Sequence, residues 1–147
     1  MLRIELRQKF RSNGLIDEVV VFGTPEEYLQ FAELVNTAIN STEPIFLESD
    51  SLVRIEISQS EYSEELFTSL QNENDEYFSM QDWAARDILR VKGSDAVLRK
   101  LSAFLVDLSG RGIGYSYISE FSESSSYLNH SPEWRLHVES TESPRVH

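Results

Sequence analysis

Residues 2–8 alternate Leu2, Ile4 and Leu6 with Arg3, Glu5 and Arg7. A period of two predicts a strand with one buried face. Arg11, Ser12, Asn13 and Gly14 follow, and Asn-Gly tolerates the positive φ of a tight turn. Residues 15–22 are a second apolar run, so 2–22 is predicted to be a hairpin. The period then changes. Thr24 is placed to cap a helix, Pro25 suits its first position, and Glu27 can close a capping box. Tyr28, Phe31, Leu34, Val35 and Ala38 fall on one helical face, with Glu26, Gln30, Glu33 and Thr37 on the other. Asn40, Ser41 and Pro44 end that helix, and residues 44–47 and 52–58 read as two further strands.

The order of elements is then repeated. Shifted by 70 positions, Val21 falls on Val91, Gly23 on Gly93 and Thr24 on Ser94. Tyr28, Phe31, Leu34, Val35 and Ala38 fall on Leu98, Leu101, Phe104, Leu105 and Leu108. The second helix is expected over 95–108, capped by Ser94 and with Asp95 at its positive end. Val97 stands where a capping-box glutamate would be. Gly110, Gly112 and Gly114 stop the helix, since they lie between a helix and a strand, the reverse order of a dinucleotide loop. Residues 113–118 are expected as a strand with Ile113, Tyr115 and Tyr117 on one face, and 134–139 as the last strand. Between the repeats, 60–65 is a polar linker. Residues 66–70 and 77–80 fit a hairpin, and 63–71 fits a short helix nearly as well.

These elements predict an α+β fold: mostly antiparallel strands with two helices on one face, arising from a tandem β-β-α-β-β duplication. Residues 1–140 are expected as a single domain of two pseudo-repeats, 1–60 and 66–140, with 141–147 a loose tail.

Sixteen Phe, Tyr and Trp residues can supply a core, which argues against disorder through most of the length. The charge is uneven. Residues 12–85 hold sixteen Asp or Glu and one base, Arg54, whereas 86–147 carry eight of each sign. A net charge of −12 opposes nucleic acid and anionic membranes and steers basic partners inward. The small basic patch of Arg3, Arg7, Lys9 and Arg11 does not reverse that. No cysteine is present, which suits a reducing cytoplasm, the expected location. The first residues lack the apolar run of a signal peptide, and no apolar run approaches the ~18 residues of a membrane helix.

Chemistry-bearing patterns are sparse. His137-Val-Glu139 mimics one part of a zinc deaminase signature, but its cysteines are missing. On a strand, Arg135, His137 and Glu139 share a face, and a surface ion pair is the expectation. Three scattered histidines do not suggest a metal site, and no nucleophile elbow appears. We therefore expect no catalytic site, cofactor or metal. The better candidates are partner-binding residues. One set is Glu61, Glu64, Glu65, Glu73, Asp75 and Glu76, and the other is Glu120, Phe121, Glu123, Tyr127 and His130 in a serine-rich segment. Tyr115, Tyr117 and Trp134 are expected in the core.

Asp87–Ser94 (DILRVKGS), the following L-x-x-L-x-x-F-L helix, GIGYSYISEFS, and Ser131 to Ser140 (SPEWRLHVES) together resemble small immunity proteins of bacterial polymorphic toxin systems. The group resembled is immunity protein family thirty-two, over residues 87–140. That resemblance implies binding and neutralising a cognate toxin, a basic nuclease-like one given the acidic first half. Two other classes are an adaptor whose acidity serves solubility, and a small ligand-binding domain with a pocket between sheet and helices.

Overall fold

The computed structural model describes residues 1–11, 14–49, 53–59, 67–71, 88–118 and 133–140, with the backbone alone at 6–11, 14–17, 67–71 and 133. Strand β1 (Arg3–Arg11) pairs antiparallel with β2 (Gly14–Gly23), placing Arg3 opposite Phe22 and Arg11 opposite Gly14. Helix α1 (Pro25–Ile39) begins with the capping box that Thr24 and Glu27 predict. Thr24 Oγ1 accepts from the Glu27 N–H at 3.3 Å, and the Thr24 N–H donates to Glu27 Oε1 at 3.0 Å. Strands β3 (Ile45–Leu47) and β4 (Arg54–Gln59) form an antiparallel pair.

Strand β5 (Phe67–Gln71) pairs antiparallel with β6 (Ile88–Gly93), which decides for strand over helix in that stretch. The expected arm at 77–80 lies outside the described residues. Helix α2 (Asp95–Ser109) is capped by Ser94, whose Oγ accepts from the Val97 N–H at 3.4 Å. Gly110 closes it at φ −94°, and the positive φ values fall later, at Gly112 (87°) and Gly114 (153°). Strand β7 (Gly114–Tyr117) then pairs antiparallel with β8 (Glu133–Val138).

The fold is α+β, and the described residues form two helices and two mixed four-stranded sheets, ordered β1-β2-β8-β7 and β3-β4-β6-β5. Neighbours in sequence pair antiparallel, as expected. The centre of each sheet is instead a parallel seam, β2 with β8 and β4 with β6. Each half of the chain thus gives one hairpin to each sheet. Exchanging β1 to β4 with β5 to β8 carries one strand order onto the other, read in reverse. The seams share their register as well: Val21 faces Leu136, and Val91, 70 positions on, faces Ile57.

One core joins all of this. Ile4, Val19, Val21, Trp134, Leu136 and Val138 from the first sheet meet Ile55, Ile57, Leu89 and Val91 from the second, together with the inner faces of both helices. Each fully buried Phe, Leu or Ile contributes about 1.5–3 kcal/mol relative to exposure. The helices meet at small residues. Ser102 Oγ donates to the Ala32 carbonyl at 3.2 Å, and the two positions are separated by 70, the repeat offset. Equivalent positions touch in this way where they lie near a two-fold axis between the halves.

Tyr28 marks where the halves differ. Its fully buried hydroxyl lies 2.7 Å from the His137 carbonyl and 3.2 Å from that of Val21, and so donates across the end of the β2·β8 seam. Leu98 holds the equivalent place on α2 and has no hydroxyl to offer.

Candidate functional site

Alternation on β2 turns Val19 and Val21 into the core and Glu18, Val20 and Phe22 to the opposite face of the first sheet. The pairing register lines up residues across all four strands there. One row runs Arg3, Phe22, His137, Tyr115, and the next runs Glu5, Val20, Arg135, Tyr117. The first row is continuously stacked. The Arg3 guanidinium carbon lies 4.2 Å from the Phe22 ring centroid. Phe22 and His137 stack at 4.8 Å with planes 19° apart, and His137 and Tyr115 follow at 5.3 Å. Cross-strand aromatic pairs of this kind contribute about 0.2–1 kcal/mol each, and a cation over a ring adds about 0.5–1 kcal/mol at an exposed site.

The second row is electrostatic. Arg135 reaches toward Glu18 at 3.9 Å and lies 6.0 Å from the Tyr115 ring. Glu18 is 1% exposed, so this contact is largely withdrawn from water. The second sheet carries a related pair on its own outer face, Arg90 with Glu56 at 3.5 Å. The signs sit differently in the two sheets: Val20 of β2 corresponds to Arg90 of β6, and Arg135 of β8 to Glu56 of β4.

Strand β7 completes the site. Tyr115 and Tyr117 meet edge to face at 5.7 Å, and Tyr115 is 59% exposed. Their expected place in the core is therefore corrected. The inward side chains of β7 are Ser116 and Ile118, which leaves the odd-numbered residues outside. Trp134, the third aromatic of that expectation, is fully buried. The expected ion pair along β8 is corrected too: the carboxylate facing Arg135 comes from Glu18 on the neighbouring strand, and His137 is stacked between two rings. Arg111 anchors β7 from below. It binds Asp107 Oδ2 through Nε at 2.8 Å and through Nη2 at 2.7 Å, and donates from Nη1 to Ser116 Oγ at 3.0 Å.

Glu61, Glu64, Glu65, Glu73, Asp75, Glu76, Glu120, Phe121, Glu123, Tyr127 and His130 all lie outside the described residues. The acidic asymmetry is visible elsewhere. Helix α1 carries Glu26, Glu27 and Glu33 with no base, and Glu26 and Glu33 are exposed. Its counterpart α2 carries Asp95 and Asp107 balanced by Arg99 and Lys100. Among the described residues no helix is long and apolar enough to cross a membrane, and no group of three potential metal ligands comes together. No protein family, curated protein or solved structure matches this chain.

Proposed function

We propose that the chain is a non-catalytic protein-binding domain that acts as an immunity protein, holding a cognate basic, nuclease-like toxin. The supporting observation is the charge difference between two halves of equivalent topology. Equal folds need equal cores, which the 70-residue correspondence supplies, so the fold does not require the exposed acids Glu26 and Glu33 on α1. An acidic helix packed beside a balanced one gives a directed field, which raises the association rate with a cationic partner. A few rings then supply the close contacts, as at other recognition surfaces. The ligand-binding alternative is less favoured, because among the described residues buried side chains occupy the space between sheets and helices.

The test is co-expression with the product of the neighbouring gene. Rescue of growth is expected, and binding of the purified pair should slow at least about tenfold between low and high salt. Glu26→Lys with Glu33→Lys should lower the association rate, while Arg99→Glu with Lys100→Glu should not. Absence of rescue and of binding refutes the immunity reading, and salt-independent binding refutes charge steering.

A further inference from the structure

Strand β7 is an edge of the first sheet. Its pairing phase is fixed by the Ile118 N–H, which donates to the Trp134 carbonyl at 3.0 Å. Ser116 and Gly114 share that phase and face β8, opposite Leu136 and Val138. The N–H and C=O of Tyr115 and Tyr117 consequently point away from β8, off the edge, and among the described residues no partner meets them. Edge strands in this state accept another strand unless something guards them. The equivalent edge, β3, is guarded: Pro44 precedes it, Glu43 and Glu48 flank it, and Arg54 covers Phe46 at 5.0 Å. On β7 there is no proline and no charge from Gly112 to Ile118. Ile113 stands 77% exposed beside Tyr115.

The charge of the sequence that continues from the strand selects the occupant. Among the described residues, the cations beside the strand are engaged within the chain, Arg111 by Asp107 and Arg135 by Glu18. From residue 112 to 134 the sequence holds Glu120, Glu123 and Glu133 and no Lys or Arg. We propose that the β7 edge takes an extended basic segment of the partner protein as a fifth strand, paired to the backbone of Tyr115 and Tyr117 and laid beside Ile113 and the Tyr115 ring. This rests on the reading above, that the partner is a basic protein, and it names the place where that partner is held.

The experiment separates backbone from side chain. Tyr115→Ala keeps the edge-facing N–H and removes the ring, while Tyr115→Pro removes both and leaves the bonds to β8 in place. With the purified neighbouring gene product as probe, Tyr115→Pro is expected to bind at least about tenfold more weakly than Tyr115→Ala. Equal binding by the two variants overturns the strand pairing and leaves the choice of partner standing. No binding by the unsubstituted chain overturns both. Should the proline variant fail to fold, hydrogen exchange on the unsubstituted chain decides. Protection of the Tyr115 and Tyr117 amides gained only with the probe supports the proposal. Protection already present in the chain alone, from its own segments or from a second copy in sedimentation, overturns it.

Discussion

Leucine at Ala32 or Ser102 tests the helix crossing by the sign of its effect. Either substitution adds apolar carbons to a site that is 2% or 5% exposed. If space existed, three extra carbons would stabilise the fold by ~2.4 kcal/mol, at ~0.8 kcal/mol each. The crossing leaves no such space, because the Ser102 hydroxyl is already 3.2 Å from the backbone oxygen of Ala32. The helices would have to separate, at an overpacking cost of about 1–3 kcal/mol. They would also lose the hydroxyl bond, worth ~1 kcal/mol; the Ala32 carbonyl keeps its place in the helix ladder, so the loss stays modest. The net expectation is destabilisation by about 2–4 kcal/mol for either Ala32→Leu or Ser102→Leu. Ala103→Leu, one residue on and exposed, should change stability by less than ~0.5 kcal/mol. Urea unfolding followed by far-ultraviolet circular dichroism measures all three. With a slope of ~2 kcal/mol/M, the midpoint should fall by about 1–2 M with the slope unchanged. A midpoint at or above that of the unsubstituted chain for either axial variant would refute the close approach. An equal fall for Ala103→Leu would show that the effect is not specific to the helix crossing.

Tyr28→Phe should destabilise by about 1–1.5 kcal/mol, the worth of a hydroxyl donating to a buried carbonyl, and a midpoint unchanged in urea would remove Tyr28 from the β2·β8 seam. Gly23→Ala should cost about 1–3 kcal/mol, since its methyl would run into Leu2 Cδ2 and lie 3.2 Å from Tyr28 Cε2. Leu2→Ala should lower the added cost of Gly23→Ala, a coupling that a double-mutant cycle reads directly; strict additivity would show that the clash is relieved elsewhere.

The helices were legible because their signals are local. Thr24 with Glu27, and Ser94 with Asp95, mark the starts within four residues, and the 3.6-residue period marks the buried faces. The strands were legible as strands for the same reason. Their partners were not. Alternation shows that Val19 and Val21 share a face with each other, but nothing in it says that β8, more than a hundred residues on, lies beside them in parallel. The core places assigned to Tyr115 and Tyr117 failed on that point. Period two yields two candidate faces, and hydrophobicity favoured the tyrosines over Ser116. The inward place of Ser116 depends on the hydroxyl finding Arg111, a contact no spacing rule predicts. The row of Arg3, Phe22, His137 and Tyr115 was hidden likewise, because it draws one residue from each of four strands.

A two-fold relation between halves also says where to look for function. Whatever both halves share — cap, apolar helix face, paired hairpins and parallel seam — suffices to build the fold, because either half does the same with it. Selection for folding alone would leave the remaining positions unconstrained in charge and exposure. They differ instead. Helix α1 is acidic where α2 is balanced, β3 is guarded where β7 is bare, and Tyr28 secures the first seam where Leu98 only fills space. The extra hydrogen bond therefore lies in the same sheet as the open edge and the stacked row. On the proposal that this sheet receives a fifth strand, its register must not shift when that strand arrives, and the Tyr28 bridge across β2 and β8 resists such a shift. Tyr28→Phe should accordingly weaken binding of the neighbouring gene product as well as lower stability, whereas a helix-crossing variant of equal stability loss should not. Equal loss of binding in both would make stability the common cause and sever the link between seam and edge.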